Sequence, residues 1–153
     1  MNAYLNPGLP KPAPAPDGLD APYWEAVAAE RLVMQRCRAC GTWQWGPEWI
    51  CHNCFSEDLA FDEVPLTGRI YSYERVWHPV HPALNEQGPY IVVLVEFPDH
   101  DGARMVGNLV GDPRQEVRIG APVRAVFEHH RDDDPPHTLV QWEAVSRLEV
   151  DWS

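Results

Sequence analysis

The chain has 153 residues, enough for one ordinary domain or for a small metal-stapled module beside a compact barrel. Sixteen prolines and ten glycines indicate many turns and few long helices, and a hydrophobic fraction of 44% allows a real core, so we predict a mostly β protein. The formal net charge of −11 opposes nonspecific nucleic-acid binding, which depends on basic side chains that neutralise phosphates.

No apolar run approaches the roughly 20 residues that span a bilayer, and the N-terminus lacks the pattern of a secretory signal. We therefore expect a cytoplasmic protein with no membrane partner. Five prolines predict a flexible, extended tail over residues 1–19. Asp20 can then cap a helix that begins at Ala21, continues through Pro22 in its first turn, and ends near Arg31.

After a predicted strand at 32–36, all four cysteines occur in two Cys-x-x-Cys pairs: Cys37 with Cys40, and Cys51 with Cys54. Each pair can hold two thiolates on one turn, and a hairpin between the turns would bring four sulfurs together as a closed tetrahedral site. Zinc prefers that arrangement, and a closed site is structural rather than catalytic. A redox dithiol and two disulfides are the less favoured alternatives, and iron fits the same sulfurs.

Aromatic residues on the helix and between the cysteine pairs are candidate partner-binding residues. Tyr23 and Trp24 lie on one helical face, for which packing within the domain is favoured over packing on a partner. Trp43, Trp45 and Trp49 lie in a segment too small to bury three indoles. We expect at least one of them on the surface, where an aromatic anchor is typical of an interface.

From Gly68 onward the pattern predicts five strands, which indicate a closed or partly open barrel such as the OB-fold. Polar and apolar residues alternate in the first, and the second contains a continuous apolar run followed by an Asp-Gly turn at 98–102. We divide the chain into the tail at 1–19, the helix and zinc ribbon at 20–66, and the OB-fold at 67–153. The predicted strands are 69–77, 89–97, 103–110, 122–129 and 139–148.

The sequence gives only weak signals of catalytic residues. His78 and His81 lie in a proline-interrupted loop, and residues 129–137, although rich in histidine and aspartate, are interpreted as a solvated loop between strands. The turn at 99–101 is interpreted in the same way. The sequence contains no fifth cysteine, no GxSxG motif and no phosphate-binding glycine motif. We therefore predict that the chain does not catalyse a reaction by itself.

Taken together, these motifs resemble the DUF35 family, which combines an N-terminal helix, a rubredoxin-like zinc ribbon and a C-terminal OB-fold. The resemblance covers about 23–147 and rests on the helix opening at 23–25, the knuckle at 37–41, the second cysteine pair, and the glycine-led strand at 68–73. The second knuckle departs from the family pattern, since His52 and Phe55 stand where Pro and Gly are common.

The resemblance implies an accessory subunit of a thiolase-like acyl-CoA enzyme, for example a sterol side-chain aldolase. A coenzyme A ester is then a possible ligand, with Arg69, Tyr71 and Arg75 as candidate acyl-CoA-binding residues. The alternative is a single-stranded nucleic-acid-binding protein, in which Tyr71, Tyr73 and Trp77 would stack on bases. The acidic net charge favours the first interpretation.

Overall fold

The structure is a computed structural model of the chain. Residues 1–12 and 15–17 of the predicted tail, and the end of the last predicted strand, lie outside the described residues. No helix within the described ranges is long and apolar enough to cross a membrane. The structure describes residues 13–14, 18–78, 80–84, 86 and 88–145.

Helix α1 (Ala21–Ala28) ends about three residues earlier than predicted. Asp20 is its N-cap residue, as expected, but its side chain makes no capping hydrogen bond. One Asp20 carboxylate oxygen instead accepts a 2.7 Å hydrogen bond from the Trp24 indole N–H. The buried face of the helix contains Tyr23, Ala26 and Val27, and packs against the last barrel strand.

The ribbon is a three-stranded antiparallel sheet of β1 (Val33–Cys37), β2 (Trp43–Gln44) and β3 (Leu59–Glu63), in the order β2-β1-β3. Nothing in the sequence pattern predicts β3. Its apolar residues do not alternate with polar ones, and none of its side chains is fully buried, so the period-two signal is missing. Its pairing with β1 over five residue pairs defines it.

A five-stranded antiparallel sheet follows, in the order β6-β5-β4-β7-β8. A parallel bridge from Leu109, just after β6, to Trp142 in β8 joins the two ends into a nearly closed barrel. This is the OB-fold that the strand pattern predicted. The strands are β4 (Thr67–Val76), β5 (Tyr90–Phe97), β6 (Ala103–Asn108), β7 (Pro122–His130) and β8 (His137–Ala144).

Close packing explains two barrel glycines. A Cβ on Gly68 would lie 2.5 Å from a Val95 methyl carbon, and a Cβ on Gly107 would lie 2.7 Å from the Trp142 ring. Both distances are far below van der Waals contact. Trp142 is fully buried, and the helix, β1 and the barrel share one continuous hydrophobic core.

Candidate metal centre and exposed surfaces

The two cysteine pairs form matching turns. In the first, the Gly41 N–H donates a 2.9 Å hydrogen bond to the Cys37 carbonyl, and in the second the Phe55 N–H donates one of the same length to the Cys51 carbonyl. Both turns end in a residue with positive φ, +80° at Gly41 and +61° at Phe55. Phe55 therefore adopts a left-handed conformation that is unfavourable for a residue with a Cβ.

The four sulfurs converge. Cys37 Sγ lies 3.6 Å from Cys54 Sγ, and Cys40 Sγ lies 3.6 Å from Cys51 Sγ. These distances are too long for disulfides, whose sulfurs lie about 2.05 Å apart. A zinc ion about 2.3 Å from four tetrahedral sulfurs would separate neighbouring sulfurs by about 3.8 Å. The observed spacing therefore fits a zinc site with four thiolate ligands.

The pKa values of Cys40 and Cys54 shift in opposite directions. The Thr42 hydroxyl and the Asn53 side-chain amide approach Cys40 Sγ at 3.2 Å and 3.6 Å and lower the Cys40 pKa to about 5. The Ser56 N–H lowers the pKa of Cys54, but neighbouring cysteine sulfurs and desolvation outweigh it and raise that pKa to about 12. Four thiolates cannot ionise so close together unless a positive ion compensates their charge.

The four cysteines would thus hold a structural zinc ion, with no position left open for a substrate. Cys37 and Cys51 are buried, whereas Cys40 and Cys54 are exposed. An ion pair connects this site to the sheet, because the Arg38 guanidinium binds both carboxylate oxygens of Asp62 on β3. The same contact holds the pKa of Asp62 below its usual range.

Two buried glutamines brace the loop between the cysteine pairs. Gln35 Oε1 accepts hydrogen bonds from the Gln44 side chain at 2.6 Å and from the Glu48 N–H at 3.0 Å. Gln44 Oε1 in turn accepts one from the His52 N–H at 3.2 Å. The sequence does not reveal this network, because nothing in the pattern distinguishes a buried glutamine from an exposed one. The network holds the segment that carries Trp49.

The five aromatic residues predicted to bind a partner differ in their exposure to solvent. Tyr23 is a core residue at 6% exposure, where desolvation raises its pKa, so it is not available as a surface anchor. Trp24, Trp43 and Trp45 are half-buried and pack against the core. Trp49 is 70% exposed, which confirms that at least one ribbon indole remains on the surface.

Three exposed apolar side chains flank the second knuckle. Trp49 and Ile50 precede Cys51, and Phe55 follows Cys54, with exposures of 70%, 43% and 72%. We name Trp49, Ile50 and Phe55 the ribbon patch. A separate apolar cleft of about 310 Å³ lies between the helix, the ribbon and the barrel, and its lining includes Trp24 and Trp45.

The candidate acyl-CoA residues do not form one cluster. Arg69 and Arg75 are six residues apart on β4, roughly 20 Å along an extended strand. The Arg75 guanidinium donates hydrogen bonds to the carbonyls of Pro113 and Gln115, and so holds the loop before β7. Tyr71 is exposed and lies 3.6 Å below the guanidinium of Arg104, a residue that the sequence analysis did not select.

The histidine-rich segment at 129–137 is not a solvated loop throughout, contrary to the prediction, because both of its ends belong to strands. Residues 131–136 form a turn, but His130 ends β7 and His137 begins β8, and both are buried. His100 also has a structural role, because its ring packs against the Trp43 ring at 4.7 Å and joins a barrel turn to the ribbon. His78 and His81 are exposed.

Comparison with known proteins supports this architecture. The family model "ChsH2, rubredoxin-like zinc ribbon domain" matches residues 24–60, and "ChsH2, C-terminal OB-fold domain" matches residues 62–128. The solved structure "Ltp2-ChsH2(DUF35) aldolase" is similar with a TM-score of 0.70 and 39% identity, over 86% of this chain and 98% of the other.

Curated relatives include a probable enoyl-CoA hydratase alpha subunit of Thermomonospora curvata, 42% identical over 74% of this chain but only 34% of its own length. This chain thus spans about a third of that relative. The benzoylsuccinyl-CoA thiolase subunit BbsA of Geobacter metallireducens is 33% identical over 61% of this chain and 64% of its own. A DUF35 domain-containing scaffold protein of Methanocaldococcus jannaschii is 33% identical over 67% of this chain and 71% of its own. On this evidence, the chain belongs to the DUF35 family of zinc-ribbon and OB-fold proteins.

Proposed function

We propose that this chain is the accessory subunit of a thiolase-like acyl-CoA enzyme, and that the enzyme is an aldolase. The observation that carries the proposal is the 39% identity and shared fold with the "Ltp2-ChsH2(DUF35) aldolase" chain, which is matched over 98% of its length. The thiolase-like class of the partner rests on the relative named as a subunit of benzoylsuccinyl-CoA thiolase. A sterol side chain is the substrate class that the family resemblance implies.

The ribbon patch supports a docking role. Burying Trp49, Ile50 and Phe55 against another protein would remove three large apolar side chains from water, and aromatic residues are enriched among those that dominate binding energy. The left-handed backbone of Phe55 adds a second argument. The matching position of the first knuckle is Gly41, so a glycine would adopt this conformation with less strain, and a role in binding would account for an exposed Phe here.

The arrangement also supports a division of labour within the complex. The zinc site is closed, so its metal has no position at which to bind a substrate. In our proposal the partner provides the nucleophile and base that act on the CoA ester, and this chain stabilises the complex. The acidic net charge of −11 disfavours the nucleic-acid alternative.

For the CoA ester itself, we propose a contribution from Arg69 and Tyr71 on the outer barrel surface. Arg75 already binds two backbone carbonyls, so we assign it to holding the loop rather than to binding phosphate. Replacing Arg69 with Gln should raise the KM of the complex for its CoA ester with little change in kcat. Arg118→Gln is the matched control, because Arg118 is exposed and pairs with its neighbour Glu116. Equal KM values for the two variants would remove Arg69 from the ligand site.

The experiment that tests docking is replacement of Trp49 with Ala. Loss of a buried indole anchor should weaken the complex with the thiolase-like subunit by about 2 kcal/mol or more, roughly 30-fold in Kd. Isothermal titration calorimetry with the purified subunits measures this change. Zinc content should stay at that of the unchanged protein, because the Trp49 side chain does not belong to the cysteine site.

Trp77→Ala is the matched control, since Trp77 is also an exposed indole, at 50%, but lies directly after β4 on the barrel. It should leave the Kd unchanged. A Trp49→Ala variant that binds the partner as tightly as the unchanged chain would show that the ribbon patch is not the docking surface.

A further inference from the structure

The end of the β7–β8 hairpin carries two buried imidazoles beside a carboxylate. His130 and His137 are paired residues in the strand register, and their rings stack at 4.8 Å with an interplanar angle of 27°. Asp133 lies in the connecting turn. One potential ligand atom from each of these three residues lies within 4.8 Å of the other two. We name His130, Asp133 and His137 the hairpin cluster.

The surroundings of His137 define which ring nitrogen can bind a cation. Its Nδ1 atom lies 3.0 Å from the Pro135 carbonyl, which can only accept a hydrogen bond, so Nδ1 carries the proton. Nε2 is then left with a lone pair. That atom is buried and has no hydrogen-bond partner within the part of the chain that the structure describes. A buried acceptor without a donor is unfavourable, and a bound cation would satisfy it.

His130 has the complementary arrangement. Its Nε2 lies 2.9 Å from Glu128 Oε1, a charge contact rather than an aligned hydrogen bond, and this favours a proton on Nε2. The other oxygen of Glu128 accepts a 3.0 Å hydrogen bond from Gln141. His130 Nδ1 then presents its lone pair toward Asp133 Oδ2, at 3.7 Å. A carboxylate behind a ligating histidine is the usual support of a metal-binding imidazole.

We propose that the hairpin cluster is a second metal site, which binds zinc or a similar divalent transition ion. Two imidazoles and one carboxylate suit that class of ion, and three protein ligands leave room for water in the coordination shell. A metal with bonds of about 2.1 Å holds neighbouring ligand atoms about 3 to 3.5 Å apart. The ligand atoms would therefore approach one another by up to about 1.5 Å on binding, and the two stacked rings would tilt so that both lone pairs point at the ion. This site is on the barrel and does not depend on the proposed function.

Binding would have a structural consequence for the hairpin. His129, next to His130, contacts the Glu30 carboxylate at 2.9 Å and the Thr138 hydroxyl at 2.9 Å. The hairpin end is thus connected to the segment that follows helix α1. A metal in the hairpin cluster would fix the turn at 131–136 and, through this contact, strengthen the association of barrel and helix.

The test is metal stoichiometry of the full chain with its ribbon loaded. Dialysis against micromolar free zinc, followed by elemental analysis, should give two zinc ions per chain, and His137→Gln should give one. A Co²⁺ titration of the zinc-loaded protein should show visible absorption without a thiolate charge-transfer band, because the cluster has no sulfur. His78→Gln is the control, because His78 is exposed and lies outside the cluster.

Asp133→Asn provides a second variant in case the buried His137 substitution impairs folding. Asp133 lies in a turn, and its replacement should weaken the second zinc ion at least about tenfold. One zinc ion in the unchanged protein would overturn the proposal, because the hairpin cluster would then bind no metal at micromolar free zinc. The proposal would also fail if the folded Asp133→Asn and His137→Gln variants both kept two zinc ions. It would fail as well if His78→Gln lost the second zinc ion.

Discussion

The ribbon and the barrel are stabilised by different means. In β5 of the barrel, every second side chain is buried, whereas β3 of the ribbon has no fully buried side chain. The barrel contains Trp142, Phe97 and several aliphatic residues at or below 2% exposure, and the ribbon presents Trp49 and Phe55 to solvent. Strand β1 contributes Val33 and Met34 to the shared core, but β2 and β3 have no fully buried apolar side chain. This part of the ribbon needs another source of stability, and four thiolates around one metal provide it.

Removal of a zinc ligand should unfold the ribbon and leave the barrel folded, and this is the largest effect that we expect. Replacing Cys51 with Ser removes a buried zinc ligand, and zinc binding in such sites contributes about 10 to 16 kcal/mol of apparent free energy. We expect loss of zinc and of amide-exchange protection at residues 33–63, with protection retained in β5 and β8. Ala39→Ser, an exposed position inside the first pair, is the matched control. Simultaneous loss of protection in both regions would contradict this difference.

The reverse experiment targets the barrel. Trp142→Ala removes the largest fully buried side chain and should lower the free energy of unfolding by about 3 to 5 kcal/mol. Chemical denaturation measures the change in the zinc-loaded protein, and elemental analysis should still find zinc in the ribbon. Trp77→Ala removes an exposed ring that contacts the guanidinium groups of Arg75 and Arg114, and should lower stability by no more than about 1 kcal/mol.

Substitutions at the left-handed residues of the two knuckles should change zinc affinity in opposite directions, and by less than the effects above. Phe55→Gly should strengthen zinc binding by about 1 kcal/mol because it relieves a left-handed Phe, whereas Gly41→Ala should weaken it by a similar amount. Competition with a chelator measures both changes. Phe55→Gly should also weaken partner binding if the ribbon patch docks. A Phe55→Gly variant with lower zinc affinity would show that the side chain stabilises the knuckle itself.

The smallest effect concerns the ion pair between the first knuckle and β3. A double-mutant cycle of Arg38→Ala and Asp62→Ala at pH 7 should give a small favourable coupling energy, because both groups are partly exposed and solvent screens their attraction. Arg38 lowers the Asp62 pKa, so this stabilisation is complete above the unfolded-state pKa and is lost as pH falls below about 4. A coupling that is unchanged in 1 M salt would argue against an electrostatic origin.

The sequence predicted the features that follow from spacing and alternation. Two Cys-x-x-Cys pairs predicted the metal site, and alternating residues predicted the barrel strands within two or three residues at most ends. It could not predict β3, whose side chains lack a period-two pattern, or the pairing of His130 with His137. That pairing depends on strand register, which places residues seven positions apart opposite one another. The core position of Tyr23 likewise depends on where the helix packs.

The central claim is that this chain acts on acyl-CoA only as part of a complex. The direct measurement is CoA ester cleavage by the isolated zinc-loaded chain, by the thiolase-like subunit, and by the two together. We predict no turnover by the isolated chain and turnover by the stoichiometric complex above that of the thiolase-like subunit. Cleavage of a CoA ester by this chain alone, or equal rates with and without it, would contradict the account.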